Sequence, residues 1–215
     1  MQNYKEIPFY SNTPDDTHCF QASLKMVLKY FYPNEDYSWE ELDKITAKVE
    51  GLWTWPTAGL IWLQEKGLEV KNIELFDYDK FIQKGGQYLV EQYGEEVGNE
   101  QTKHSDIKQE IELTKKFVKI IDTEKKIPEL DDIKQLLLKN YVIIVNVNAK
   151  ALNDESGYVG HFVVIKGIDD DGFMLNDPGL PGRENHRVSF ELFEKAWAYP
   201  NEKAKNIMAF KLNGK

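Results

Sequence analysis

The chain predicts an α+β fold, with helices gathered toward the N-terminus and antiparallel strands toward the C-terminus. Three observations predict it. Apolar residues recur at three- and four-residue steps through most of residues 19–66. Short apolar runs bounded by turn residues follow after residue 141. Between two of those runs stands Asp169-Asp170-Asp171-Gly172, a tight hairpin turn in which Asp-Gly is expected to supply a positive φ.

Each element has its own signal. Ile7-Pro8-Phe9-Tyr10 reads as a short strand or extended segment, and the polar stretch from Ser11 to His18, with Pro14, as a loop. A helix starts at Cys19, carrying Ala22, Met26, Val27, Tyr30 and Phe31 on one face, and Pro33-Asn34 ends it. Ser38-Trp39-Glu40-Glu41 is a capping box that opens a second helix running to about Val49. Thr57 to Lys66 is a third helix, stopped by Gly67, and Leu68 to Phe76 a strand.

Residues 78 to 126 differ in composition. Rich in Lys, Glu and Gln, they read as a solvated helical insertion with a mobile middle near residues 94 to 104. They hold too few apolar residues for a core of their own, so 1–215 is expected to be a single domain with an insertion. Order returns with a helix at Leu130 to Lys139 and strands at Tyr141 to Asn148, His161 to Ile168 and Gly172 to Asn176. A helix at Ser189 to Trp197, capped by Ser189, and a closing strand at Asn206 to Leu212 complete the chain.

Composition narrows the function classes. Hydrophobic residues make up 41% of the chain, enough for a core. No apolar run approaches the length of a membrane span, which needs ~20 residues. The start of the chain lacks the basic and apolar regions of a secretory signal, so a cytoplasmic protein is expected. The net charge of −9 argues against nucleic acid as a partner, because such binding rests on Lys and Arg. No Gly-rich phosphate loop is present and no Cys/His pair has metal-ligand spacing, so neither cofactor nor metal is expected.

The chemistry concentrates on the one cysteine. Cys19 follows a polar loop and leads a helix, where first-turn N–H groups and a nearby imidazolium would both favour a thiolate. The alternative is a buried structural cysteine, the usual fate of a free thiol. Of the four histidines, His161 opens the apolar strand Phe162-Val163-Val164-Ile165 behind Gly160, and pairing with Cys19 accounts for it better than a core role. His18 is adjacent to Cys19, where side chains diverge on a first helical turn; His104 and His186 read as solvated. The hairpin returns Asn176 and Asp177 toward His161, and either could orient the ring. Asp177 would also stabilise an imidazolium, with Asn176 as the alternative orienter. An oxyanion would find the N–H of Cys19, and the loop upstream could add the amide of Asn12, which reads equally as a plain loop former. The cluster Trp39, Trp53, Trp55 and Trp62 reads as core and helix packing rather than a substrate groove.

These blocks together resemble a family. The run from Ile7 to Leu28 (IPFYSNTPDDTHCFQASLKMVL), Gly160 to Gly167 (GHFVVIKG) and Leu175 to Gly179 (LNDPG) are similar to the papain-like cysteine peptidases grouped with bacteriocin-processing, double-glycine leader peptidases, family thirty-nine and its stand-alone relatives. The helix and strand from Ile133 to Asn148 are similar as well, and residues 78 to 126 lie outside the likeness. The resemblance implies a papain-like fold with Cys19 as nucleophile, His161 as base and Asp177 as orienter. It also implies an oxyanion amide at Asn12, where the family usually has Gln. After the cysteine the family usually has Gly, and this chain has Phe20.

Two functions follow. One is a thiol hydrolase that cleaves peptide or amide bonds through a Cys-His-Asp triad and an acyl-enzyme. The other, suggested by Asn12 and Phe20, is a catalytically weak or inactive papain-fold module that binds peptides or partners. The expected partner in either case is a peptide or amide, with neither nucleic acid nor membrane.

Overall fold

Three strands in the middle of the sheet are apolar on both faces, and that decides the architecture. Val142 to Val147, Phe162 to Ile165 and Ile207 to Phe210 are buried almost throughout, so the sheet they form must be covered twice. Even-numbered Val142, Ile144, Phe162, Val164, Met208 and Phe210 pack into one core; odd-numbered Ile143, Val145, Val163, Ile165, Ile207 and Ala209 pack into the other. The structure is a computed structural model and describes residues 3–214.

In chain order the strands are β1 (Asn3–Tyr4), β2 (Leu68–Glu74), β3 (Thr123–Glu124), β4 (Val142–Asn148), β5 (Gly160–Ile168), β6 (Gly172–Asp177), β7 (Arg183–Ser189) and β8 (Asn206–Leu212). They lie in the order β3-β2-β8-β4-β5-β6-β7, with β1 added to the far end of β5. Every pairing is antiparallel except β2 with β3. The closing strand β8 therefore sits centrally, joining β2 from the helical half to β4.

The helices are α1 (Cys19–Phe31), α2 (Trp39–Ile45), α3 (Thr57–Glu65), α4 (Tyr78–Lys84), α5 (Gly86–Tyr93), α6 (Glu95–Lys103), α7 (Ile107–Ile120), α8 (Leu130–Leu138), α9 (Ala149–Leu152) and α10 (Phe190–Trp197). Those from α1 to α3, with Phe117 of α7, cover the first face; α8, α9 and α10 cover the second. Local chemistry explains their starts. Ser38 and Glu41 form both bonds of the capping box. Ser189 accepts from the N–H of Leu192 at 3.2 Å.

Several expectations change. The second helix ends at Ile45, where Ala47 takes a φ of +52°. Residues 95–103 form a helix rather than a loose middle: Val97 and Gly98 are buried, and a Cβ on Gly98 would fall 2.5 Å from the Val90 backbone of α5. Residues 7–10 belong to no strand, whereas the polar run Arg183–Ser189 does, pairing with β6. Phe81 of α4 and Tyr88 and Leu89 of α5 join Phe76, which precedes α4, in a small third cluster.

Gly172 in the hairpin is needed for space and not for a positive φ. A Cβ there would meet the carbonyl oxygen of Val188 in β7 at 2.0 Å, and the turn itself is held by Asp169 Oδ1 accepting from Asp171 and Gly172 N–H at 2.9 and 3.0 Å. Gly172→Ala is expected to destabilise the protein by roughly 1–3 kcal/mol, the usual range for forced overpacking. Chemical denaturation checks this; wild-type stability in the variant would mean that β6 and β7 can separate without cost.

Candidate active site

Cys19 is the first residue of α1, half-buried, with its helix pinned against β5 by Phe20, Leu24 and Val27. The preceding residue, His18, leaves helical geometry at φ −115°, ψ 26°. The first-turn N–H groups at this end have no intrahelical acceptor. The loop before the helix is shaped by Asn12. Its Oδ1 accepts from the N–H of Thr13 at 2.9 Å and of His18 at 2.8 Å, while its Nδ2 donates to Asp16 Oδ1 at 2.8 Å. Its backbone N–H donates to Pro178 O at 2.7 Å, tying the cysteine loop to the loop after β6.

β5 places His161 at its start, buried, opposite Val147 of β4. The β5–β6 register pairs Val164 with Asn176, so Asp177 lies one step further on, diagonal to His161 across the two strands. Asp177 Oδ1 stands 2.7 Å from His161 Nε2. Nδ1 is then the ring nitrogen left for Cys19, which lines the same cavity and is near enough to favour the charged ring. Asn176 points to the opposite face and donates to Ile7 O at 3.1 Å, so of the two candidate orienters only Asp177 reaches the histidine.

Asp177 is nearly sealed from solvent. Oδ1 also accepts from the N–H of Gly179 at 3.0 Å, and Oδ2 accepts from Arg183 Nε at 3.1 Å and Nη2 at 2.5 Å. His186 Nδ1 approaches Oδ2 at 3.5 Å without completing a hydrogen bond. Burial would raise the carboxyl, but His161, His186 and the Gly179 N–H hold it well below the usual carboxylate range. His161 shows the complementary balance: burial works against its charge, yet Asp177 and Cys19 push it up to about 10.

The other histidines sort themselves by contact. His18 is turned away between Thr13, Asp15 and Asp43. His104 stacks on Trp53 at 4.9 Å, and His186 is largely buried beside Asp177, so neither is the solvated residue expected. Arg183 and His186 were not expected at the site, because they sit on the unforeseen strand β7. Tyr158 is a third addition: its buried hydroxyl accepts from Gln101 Nε2 at 3.1 Å and, chiefly through burial, is pushed up to about 12.

A cavity of about 540 Å³ opens at Cys19 and His161. Trp53 and Trp55 line it, a role not expected of the tryptophan cluster, although Trp55 also packs as expected, stacked on Phe81 at 5.2 Å; Trp39 and Trp62 pack against the first core. Phe20 does not line the cavity. Its ring is buried 4.9 Å from that of Phe162, in space left by Gly59, where a Cβ would come within 2.8 Å of it. Among the described residues no group of three or more His, Cys, Asp or Glu could hold a metal ion, and no helix is long and apolar enough to cross a membrane.

A nucleophile-type helix against one side of an antiparallel sheet, with histidine and aspartate on adjacent strands, defines a papain-like fold of the cysteine-peptidase kind. The family model described as Peptidase_C39 like family matches residues 4–205, and the chain belongs to that family. The peptidase domain of Streptococcus ComA, a bi-functional ABC transporter involved in a quorum sensing pathway, is similar with a TM-score of 0.53. Its identity is 14%, over 98% of this chain and 99% of that one. A double glycine motif protease from an AMS/PCAT transporter, solved in complex with the leader peptide, gives 0.51 at 15% identity over 99% of both chains. No curated protein matches the chain.

A histidine usually loses its proton near 6.5, and this one keeps it to about 10. The charged ring therefore stabilises the fold fully below pH 6.5, and that contribution is lost as pH rises through about 10. Cys19→Ala removes one of the groups that hold the proton. The midpoint of the His161 ring signals in an NMR titration is expected to fall in that variant; an unchanged midpoint would mean that the sulfur does not face the ring.

Proposed function

We propose that the protein is a cysteine hydrolase that cleaves peptide or amide bonds through Cys19, His161 and Asp177. The observation that carries this reading is the Asp177–His161 pair at 2.7 Å, buried, on the same cavity as Cys19 at the start of α1. Family membership and the likeness in fold to a protease solved with a leader peptide support a peptide as substrate. The chain acts as one domain, with residues 78–126 as a helical insertion.

The sulfur of Cys19 attacks the amide carbonyl as thiolate, and charged His161 gives its proton to the leaving amine. The thioester that remains is attacked by water, whose proton passes to the ring. Asp177 keeps Nε2 engaged, so Nδ1 stays aimed at the sulfur and the reacting carbonyl. The negative charge on the carbonyl oxygen meets the N–H of Cys19 and the amide of Asn12. Asn12 already gives one N–H to Asp16, which leaves its second for this role.

A second reading has an observation of its own. Asn12 is tied into the loop and does not line the cavity, so the oxyanion has one secure donor, Cys19 N–H. Loss of one donor costs ~10²–10³ in rate, enough to leave a module that binds peptides and cleaves them slowly or not at all.

Alkylation separates thiol reactivity from turnover, because it forms no tetrahedral oxyanion. Iodoacetamide near neutral pH is expected to label Cys19 rapidly, and His161→Ala to slow it. Hydrolysis of peptidyl coumarin amides is expected in the wild type and lost in Cys19→Ala, which keeps its fold because little volume is removed. A reactive thiol without hydrolysis supports the binding module; an inert thiol, or turnover that survives in Cys19→Ala, rules out the mechanism.

A further inference from the structure

The cavity does not end at the reacting residues. It runs inward between β2 and helices α4 to α7, and its lining there includes Glu74, the last residue of β2. Glu74 Oε1 accepts from Asn72 Nδ2 at 2.8 Å and from the hydroxyl of Tyr78. Oε2 has no hydrogen-bond partner among the described residues. Aromatic rings line the same space as the carboxylate: Phe76, Tyr78, Tyr93 and Phe117. Phe76 meets Tyr78 at 5.0 Å and Tyr93 at 6.5 Å, and Tyr78 meets Phe117 at 5.2 Å.

A carboxylate with one oxygen fixed and the other unpaired, lining a cavity with several aromatic rings, has the composition of an ammonium site. Ring faces attract cations through their quadrupole, and more so away from water. Among the described residues the only Lys or Arg lining the cavity is Arg183, which is bound to Asp177 at the other end. No cation of the cavity lining therefore competes for Glu74.

We infer that the inner end of this cavity recognises an ammonium group on an apolar stem, so that the amide drawn to Cys19 bears a basic amine away from its scissile bond. The part concerning Cys19 rests on the hydrolase reading; the ammonium site does not. Burial raises the Glu74 carboxyl above its usual range, and an incoming cation offsets that desolvation. The cavity volume of about 540 Å³ falls among those of small-ligand sites.

The test uses Cys19→Ala, which binds without turnover, titrated with n-hexylamine and with 1-hexanol at neutral pH, followed by tryptophan fluorescence. The amine is expected to bind about tenfold tighter or more, from a charged hydrogen bond and ring contacts together. Adding Glu74→Gln is expected to erase that preference while leaving hexanol affinity unchanged. Equal affinity for the two probes, no saturable amine binding, or a preference that survives Glu74→Gln overturns the site. The probe comparison decides alone if the Gln variant does not fold. Wild-type turnover of 6-aminohexanoyl and hexanoyl anilides separates the two readings. If neither is cleaved while the amine preference stands, the hydrolase reading fails alone. If both are cleaved alike and hexylamine shows no preference, the ammonium site fails alone.

Discussion

The candidate site is organised around one carboxylate sealed from water at the end of β6. Asp177 loses hydration on both oxygens, and a buried charge left unpaired would be costly. The chain answers with donors from three places: the ring of His161 on β5, the N–H of Gly179 in the next turn, and the guanidinium of Arg183 on β7. Each of those groups is fixed in return. The histidine is held in one orientation, the turn after β6 is drawn over the pair, and an otherwise polar edge strand is anchored to the sheet. Asn12 N–H to Pro178 O then carries the constraint to the loop that leads into α1. The position of the cysteine loop relative to the ring thus depends on satisfying a charge on the neighbouring strand.

Much of this was legible in the sequence because it depends on local rules. The start of α1 at Cys19, the capping box of α2 and the Ser189 cap follow from residue chemistry within a few positions. The antiparallel return of Asp177 toward His161 follows from a hairpin whose register is set by its turn. What was hidden depends on distant partners. Arg183–Ser189 has almost no apolar pattern, since its strand is held by backbone bonds to β6 and by the charge of Asp177. The burial of His186 is hidden for the same reason. Gly172 looked like a turn residue, and its true constraint, the Val188 carbonyl, lies on the following strand, beyond the reach of any local pattern. Trp53 and Trp55 were indistinguishable from Trp39 and Trp62 by composition, and only the packing of α4 to α7 divides the four.

The two departures from the family pattern have different fates. Phe20 stands beside Cys19 where the resemblance implies Gly, but its ring is taken into the core next to Phe162, and Gly59 on α3 gives it room. The substitution is absorbed by packing without narrowing the cavity. Asn12 is absorbed by hydrogen bonding instead: its carboxamide stitches Thr13, Asp16 and His18 into one loop. The three bonds fit the reach of the shorter amide to the shape of this loop.

The insertion helices form a roof over the space beside Cys19. Gln101 of α6 holds the Tyr158 hydroxyl, Glu96 meets Tyr199, and His104 lies flat on Trp53. Cys19, His161 and Asp177 come from α1, β5 and β6, whereas much of the inner wall comes from residues 72–117. These stretches of chain can vary separately. Replacement of the roof would redraw the chamber while the Asp177–His161 distance stayed as it is, so inheritance of the reacting atoms and inheritance of the chamber's shape are uncoupled in this chain.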